Sequence, residues 1–274
     1  MRNNKRISRT VFILLGTVLS LLWLYPLYLI VTNSLKTKAE IFTNKLGLPT
    51  SPTLANYKDA FLAMDFYRSF VNSFIITFFS VVIICICTSM AAYALSRRPG
   101  KLSSFIYFGF ALLMLVPFQA IMIPLVSVFG SIDMLNRIGL IIMYLGLASS
   151  MSIFLYYGTL RGLPQELDEA SLIDGSNRFQ IYLYIIFPLL KPTTITVVVI
   201  NALWFWNDYL LPSIVINKDG LYTIPLKMFY FFGEYTKQWH LALAGLVIAI
   251  LPVIIVYMFL QKHIVQGISE GAVK

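Results

Sequence analysis

Long apolar runs alternate with polar segments along this chain. A helix needs about 20 mostly apolar residues to cross the hydrocarbon core of a membrane, and six runs reach that length. They predict six transmembrane helices, and therefore an all-α polytopic membrane protein. The six runs cover residues 11–32, 69–95, 104–130, 138–160, 185–210 and 240–261.

Prolines lie inside two of these predicted spans. The third run contains Pro117 and Pro124, and the sixth contains Pro252. Membrane helices tolerate proline because neighbouring helices and water can satisfy the freed carbonyl groups. Two interpretations stay open: kinks that help the helices to pack, or broken helices that line a path through the membrane.

The composition agrees with a membrane protein. Of the 274 residues, 58% are hydrophobic and 12% are charged, whereas a soluble domain carries about 25% charged residues. The net charge of +9 could suggest a nucleic-acid partner. However, the Lys and Arg residues fall between the apolar runs, apart from Lys191 just inside the fifth. They are therefore topology signals, and no nucleic-acid partner is expected.

The short polar segments set the predicted orientation. Basic residues crowd the segments 1–10 and 96–103, while the segment 131–137 offers only Arg137. Because positive charge favours the cytoplasmic side, we expect both termini inside. The predicted organisation is a cytoplasmic tail at 1–10, a first transmembrane helix at 11–33, an extracellular loop at 34–67, a membrane core at 68–262 and a cytoplasmic tail at 263–274.

The segment 163–188 is the most polar, charge-dense part of the predicted cytoplasmic side. Its first part predicts an amphipathic helix over about 163–175, with Pro164 in the first turn and Gly175 as the left-handed residue that ends it. Acids in the first turn favour a helix N-terminus, and apolar residues recur at three and four. We expect this helix to have no partner within the chain and to dock on another protein. The acids are Glu166, Asp168 and Glu169, and the apolar residues are Leu163, Leu167, Ala170 and Ile173.

No set of residues predicts an enzyme. A phosphate-binding loop needs G-x-x-x-x-G-K-[ST], but Leu102 follows Gly100-Lys101, and Leu95 replaces the first glycine. His240 and His263 are far apart, so no metal site is predicted. A secondary transporter would need its own coupling-ion site, and no predicted span holds a central charged residue. We therefore expect no catalytic activity and no cofactor on this chain.

A second polar cluster lies near the end of the fifth run. Trp206, Asn207 and Asp208 lie about 20 residues beyond its cytoplasmic start, which places them near the outer membrane interface. Aromatic residues there are typical of an interfacial belt, but acids near a span usually face the interior or a watery cavity. The cluster is predicted to line the substrate path or its gate, and a contact with an extracellular binding protein fits equally well.

The polar segment resembles the EAA signature of ABC importer permeases. Glu169-Ala170-Ser171, Gly175 and then Ile185-x-Phe187-Pro188 match its pattern, with Ser171 and Phe187 replacing Ala and Leu. In that family the helix couples the permease to a cytoplasmic ATPase. The resemblance implies a type I importer architecture, with ATPase coupling through Glu169, Ala170, Ser171, Gly175, Ile185 and Pro188.

Further motifs resemble the carbohydrate-uptake branch of these permeases, in particular the smaller six-helix subunit of maltose-type and multiple-sugar importers. The resemblance implies a second homologous permease, two ATPases that bind ATP and Mg, an extracellular or periplasmic solute-binding protein and a bacterial or archaeal cell membrane. A permease for an amino acid or a polyamine is the nearer alternative. The motifs are Asn72-Ser73, the run from Ala91 to Arg97, Trp206-Asn207-Asp208 and the segment from Gln261 to Gly267.

Overall fold

The protein is built from α-helices, in agreement with the predicted class. The computed structural model describes the backbone of residues 2–229, 231 and 238–272, and the side chains of residues 11–229, 231, 238–255 and 258. Within these residues there is no β-strand. The helices are α1 (Arg2–Ser34), α2 (Lys38–Thr43), α3 (Ala55–Ala63), α4 (Phe66–Arg97), α5 (Lys101–Leu113), α6 (Phe118–Ser131), α7 (Arg137–Arg161), α8 (Glu166–Ile173), α9 (Arg178–Ile181), a π-helix (Tyr182–Ile186), α10 (Phe187–Leu189), α11 (Lys191–Asn207), α12 (Leu210–Val215), α13 (Ile224–Phe229) and α14 (Trp239–Ala272).

Within the part of the chain that the structure describes, three helices are long and apolar enough to cross a membrane by themselves, namely α1 from Val11 onward, α4 and α7. The predicted third and fifth spans are instead broken helices. In the third, α5 and α6 meet at 105°, and in the fifth the segment Arg178–Leu189 meets α11 at 75°. Counting each bent pair as one span gives up to five. The apolar part of α14 that the structure describes, Trp239–Ile255, is shorter than these spans.

The prolines of the predicted spans behave differently from one another. Pro117 lies between α5 and α6 with an extended backbone, whereas Pro124 and Pro252 lie inside α6 and α14. The helix is therefore broken at Pro117, whereas it continues through Pro124 and Pro252. A proline interrupts a helix because it lacks an N–H and its ring collides with the carbonyl one turn before.

The chain divides into two compact units, of which the first contains residues 1–66 and 227–254. Its loop after α1 is organised by Lys36, a fully buried cation. The Lys36 Nζ donates to Asn33 Oδ1 at 3.1 Å and to the Asn44 carbonyl at 2.6 Å. Asn56 donates to the carbonyls of Ser34 and Lys36, both at 2.8 Å. These bonds satisfy groups that burial would otherwise leave unpaired, which explains how a polar loop folds here.

The second unit contains residues 67–226 and 255–274, and its core lies where α4, α7 and α11 pack. Side-chain hydrogen bonds set the direction of α11 against α7: Thr159 pairs with Thr193 at 2.7 Å, and Asn201 donates to Ser152 at 3.2 Å. Rising numbers on one helix meet falling numbers on the other, so α7 and α11 are antiparallel. Small polar side chains suit such contacts in a membrane because they bond across closely approaching helices.

Helices α4 and α7 run in the same direction, which gives the second unit two distinct polar ends. Asn72 near the start of α4 contacts Arg137 at the start of α7, and Arg97 at the end of α4 contacts the Leu160 carbonyl near the end of α7. The 32 residues of α4 extend about 48 Å, longer than a bilayer's hydrocarbon core of about 30 Å. The Asn72 end and the Arg97 end therefore lie on opposite sides of any membrane that α4 spans.

Candidate functional site

Helix α8, the helix predicted over about 163–175, lies at the Arg97 end and is shorter than predicted. It runs from Glu166 to Ile173, and Gln165 is the residue before its first turn. Pro164 therefore precedes the helix instead of occupying its first turn as predicted. The three acidic residues do occupy the first turn, where unpaired backbone N–H groups favour negative charge.

Gly175 ends α8 in the way that the sequence predicts. Its φ is +87°, a conformation that suits glycine because no Cβ collides with the backbone. The Ser176 N–H donates to the Ser171 carbonyl at 3.0 Å, and the Gly175 N–H donates to the Leu172 carbonyl at 3.1 Å. This pair of bonds is the Schellman motif, which satisfies the last carbonyls of a helix.

A side-chain clamp joins α8 to the end of α4. The Arg97 Nη2 lies 2.9 Å from Asp168 Oδ2, and the two side chains are only 9% and 14% exposed. The Tyr93 hydroxyl donates to the other oxygen of Asp168. Arg97 Nη1 also donates to the Leu163 carbonyl at 3.2 Å. The expectation that this helix has no partner within the chain is therefore wrong, because Arg97 and Tyr93 of α4 bind Asp168 in its first turn.

The predicted coupling residues of α8 fall on two faces. Ser171 is buried, and its Oγ donates to the Leu167 carbonyl at 2.6 Å. Glu169 and Ala170 are exposed, and within the described part of the chain the Glu169 carboxylate has no side-chain partner. Ile173, from the predicted apolar stripe, is 86% exposed. An acid and a large apolar group are thus both exposed on the surface of a short helix.

Ile185 and Pro188, the second half of the predicted motif, lie in a different element from the first half. Ile185 belongs to the π-helix and is half-buried, and Pro188 is exposed in α10. The Phe187 N–H donates to the Tyr182 carbonyl, five residues back. A π-turn widens the helix just before Pro188, where an α-helix would place the proline ring against the carbonyl one turn earlier. Helix α11 then leaves at a sharp angle.

The cluster Trp206, Asn207 and Asp208 lies at the Asn72 end, across the unit from α8. The three side chains do not converge on one point. Trp206 packs edge-on against Phe70, with ring centres 5.7 Å apart, and the exposed Asn207 donates to the Leu203 carbonyl of its own helix at 2.8 Å. Asp208 accepts the Tyr144 hydroxyl at 2.8 Å and the Leu210 N–H at 3.0 Å.

Hydrogen bonds therefore explain the position of Asp208. Through them its carboxylate connects the end of α11 to α7 and to the start of α12. Asn207 presents its side chain to the surface while bonding its own helix, and the Trp206 ring is half-buried. Both Asp208 oxygens already accept hydrogen bonds. The role in a substrate path or gate stays a prediction.

Asn72 fixes the segment between α12 and α13, a role that the sequence alone does not assign. Its Nδ2 donates to the carbonyls of Gly220 and Tyr222, each at 3.0 Å, and its Oδ1 accepts from Arg137 Nη2 at 2.7 Å. Next to it, the Ser73 Oγ accepts the Ile224 N–H at 2.9 Å. The Asn-Ser pair at the start of a long apolar run is the only signal in the sequence, because all its partners lie far away along the chain.

Three proteins resemble this chain over nearly its full length. The permease AmyC of Thermoanaerobacterium thermosulfurigenes, described as a probable starch degradation products transport system permease, is 57% identical over 95% of both chains. The multiple sugar-binding transport system permease MsmG of Streptococcus mutans is 38% identical over 100% of both. The melibiose/raffinose/stachyose import permease MelC of Bacillus subtilis is 34% identical, also over 100% of both.

A solved structure has the same fold. It is a crystal structure of a bacterial ABC transporter involved in the import of the acidic polysaccharide alginate, with a TM-score of 0.80, 26% identity, and coverage of 94% of this chain and 96% of that one. Residues 86–270 match the family model described as the binding-protein-dependent transport system inner membrane component. This match covers α8 and most of the second unit. The chain therefore belongs to the family of inner membrane components of binding-protein-dependent transport systems.

Proposed function

We propose that this protein is a permease subunit of an ATP-driven importer that moves a sugar or an oligosaccharide into the cell. The observation that carries the proposal is α8, which exposes Glu169 and Ile173 side by side on a helix anchored to the bundle. The names of the relatives AmyC, MsmG and MelC refer to starch degradation products and other sugars, and they support a carbohydrate as the substrate.

In this proposal the exposed face of α8 fits a groove on a cytoplasmic ATPase. Apolar Ile173 is disfavoured in water, so its burial in a partner's groove is favourable. The Glu169 carboxylate would then be partly desolvated and would need a basic or hydrogen-bonding partner on the ATPase. ATP and Mg belong to that partner, since this sequence has no phosphate-binding loop. Two ATPases and a second, homologous permease complete the proposed membrane assembly.

The orientation of the proposed assembly follows from the basic segments. With six spans and both termini inside, α8 faces the cytoplasm, and the Asn72 end faces the outside, where a solute-binding protein delivers the sugar. Closure of the ATPases moves α8, and the bundle alternates between outward and inward access as a rigid-body transition. The bent pair α5–α6 supports a path lined by broken helices. A bacterial or archaeal cell membrane is the proposed location.

The test is reconstitution of the complete transporter in proteoliposomes with ATP inside. We expect ATP-dependent uptake of a labelled maltooligosaccharide or raffinose in the presence of the binding protein. Glu169→Lys should abolish uptake and reduce co-purification of the ATPase. Its matched control is Glu166→Lys, which places the same charge on the same helix at another exposed position. Equal uptake by both variants would refute coupling through Glu169.

A ligand screen on the binding protein tests the nearer alternative, a non-sugar solute. The screen should include α-glucan and α-galactoside oligosaccharides, amino acids and polyamines. Binding of an amino acid or a polyamine without any sugar would replace the carbohydrate with that solute. Uptake by this chain alone, driven by an ion gradient and independent of ATP, would instead indicate a secondary transporter.

A further inference from the structure

Three side chains on one face of α4 contact the segment that carries the coupling motif. Ser89, Tyr93 and Arg97 are spaced four residues apart, so they lie above one another on a helix. Arg97 pairs with Asp168 of α8. The Tyr93 hydroxyl also bonds Asp168, and its ring centre lies 5.6 Å from that of Tyr182, the first residue of the π-helix.

The third contact completes a continuous connection. The Ser89 Oγ lies 2.7 Å from the Tyr182 hydroxyl, and both residues are buried. The face of α4 that carries these three residues therefore touches α8 at one end and the start of the π-helix at the other. A π-turn is a common place for a helix to change direction, and here it precedes the sharp bend into α11.

Two short turns connect α8 to the rest of the chain. On one side the chain passes through Gly162 and Pro164, and on the other it turns at Gly175 in a left-handed conformation. Arg97 contacts the first turn as well as α8, because its Nη1 donates at 3.2 Å to the carbonyl of the residue between Gly162 and Pro164. The ion pair between Arg97 and Asp168 is poorly screened by solvent, since both side chains are largely buried.

We propose that Asp168 is a positioning residue which makes α8 and the end of α4 move as one body. This inference rests on the proposed function, because it concerns how a displacement of α8 by the ATPase reaches the membrane helices. Through Asp168, a push on α8 enters α4 by way of Arg97 and Tyr93. Without it, the same push bends the turns on either side of α8, and hydrolysis proceeds without transport.

The decisive variant is Asp168→Asn in the complete reconstituted transporter. We expect the ATPase to co-purify within about twofold of wild type and to hydrolyse ATP, while sugar transported per ATP hydrolysed falls at least tenfold. Asp174→Asn is the matched control, since it makes the same chemical change at an exposed position at the end of α8. That variant should transport like wild type.

A double variant separates a mechanical role from a folding role. Asp168→Asn leaves the Arg97 charge nearly buried without its partner, which by itself disfavours folding. Arg97→Gln combined with Asp168→Asn removes that charge, so a folding defect should be relieved. We expect transport per ATP to stay low in the double variant. Recovery to the wild-type ratio would overturn the proposal and leave Asp168 as a packing residue only.

A distance measurement tests the rigid connection directly. Spin labels at two exposed positions, Ala94 on α4 and Glu166 on α8, report the separation of the two elements. The labels require Cys85→Ser and Cys87→Ser first. We expect the same distance with and without ATP in the parent transporter, and an ATP-dependent distance after Asp168→Asn. An ATP-dependent change in the parent would refute a rigid clamp, whereas a parent without ATP-driven uptake would refute the proposed function instead.

Discussion

Replacing Asn72 by leucine should release the segment between α12 and α13. The Asn72 side chain is 2% exposed and makes three hydrogen bonds, two as donor to loop carbonyls and one as acceptor from Arg137. Leucine has nearly the same size but makes none of them. The carbonyls of Gly220 and Tyr222 then lose this donor, and Arg137 loses its acceptor at the same position.

The size of the effect follows from these three bonds. Leaving a buried polar group without its partner costs about 1–3 kcal/mol. The loop carbonyls can bond to water when the segment opens. Most of this cost therefore destabilises the closed state and shifts the equilibrium toward the open state. A net shift of about 2–4 kcal/mol in the closing free energy is therefore expected. Since 1.4 kcal/mol is tenfold in an equilibrium constant, the open population should rise about 30- to 1,000-fold.

Limited proteolysis with trypsin measures that population, because Lys218 lies in the segment and is exposed. When opening and closing are fast, the cleavage rate follows the fraction of open molecules. The fragment that ends at Lys218 should therefore appear at least about 30-fold faster in Asn72→Leu than in wild type. Asn207→Leu is the matched control, because Asn207 is exposed and bonds only the Leu203 carbonyl of its own helix among the contacts described. Equal cleavage rates in the two variants would refute the assignment of Asn72 as the anchor.

Three further substitutions test other parts of the structure. Gly175→Val should destabilise the end of α8 by about 1–2 kcal/mol, because φ there is +87°. A thermal-inactivation assay should detect this loss of stability. The same assay should show no such loss for Gly158→Ala, since the added Cβ lies in a helix with nothing within 4 Å. Gly139→Ala should lower the inactivation temperature strongly, since the added Cβ would lie 1.7 Å from the Met134 carbonyl oxygen. An unchanged temperature would show that the turn between Met134 and Gly139 adapts freely. Ile173→Ser should leave that temperature unchanged, because the side chain is 86% exposed, yet weaken ATPase co-purification several-fold; unchanged co-purification would exclude Ile173 from the docking surface.

The sequence predicts well those features that depend on residues close together in the chain. The left-handed end of α8 is one case, because glycine is the residue that tolerates its φ and the bonds span five residues. The long apolar helices α1, α4 and α7 are another, because length and hydropathy decide them. Pro117 also interrupts its span as one of the two interpretations allowed.

Features that depend on distant residues were not predictable in the same way. Asp168 and Arg97 are 71 positions apart in number, and nothing in either local pattern pairs them. The first turn of α8 contains three acids, and all three suit a helix N-terminus equally well. Only the contact with α4 distinguishes Asp168, which pairs with Arg97, from the other two acids of the turn. The hydrogen bonds of Asn72 to the segment around Gly220 could not be predicted from the sequence either, because their partners also lie far apart along the chain.

Helix α8 reverses the usual arrangement of polar and apolar faces. Its two least exposed residues, the largely buried Asp168 and the buried Ser171, are polar and three residues apart, so they share a face. Glu169 and Ile173 are four residues apart and share the exposed face. Burying a carboxylate while a large apolar side chain faces water is unfavourable for an isolated chain, unless the carboxylate is paired and the apolar face is covered in the assembly. Arg97 meets the first condition within this chain, and the second condition defines what the proposed ATPase must supply.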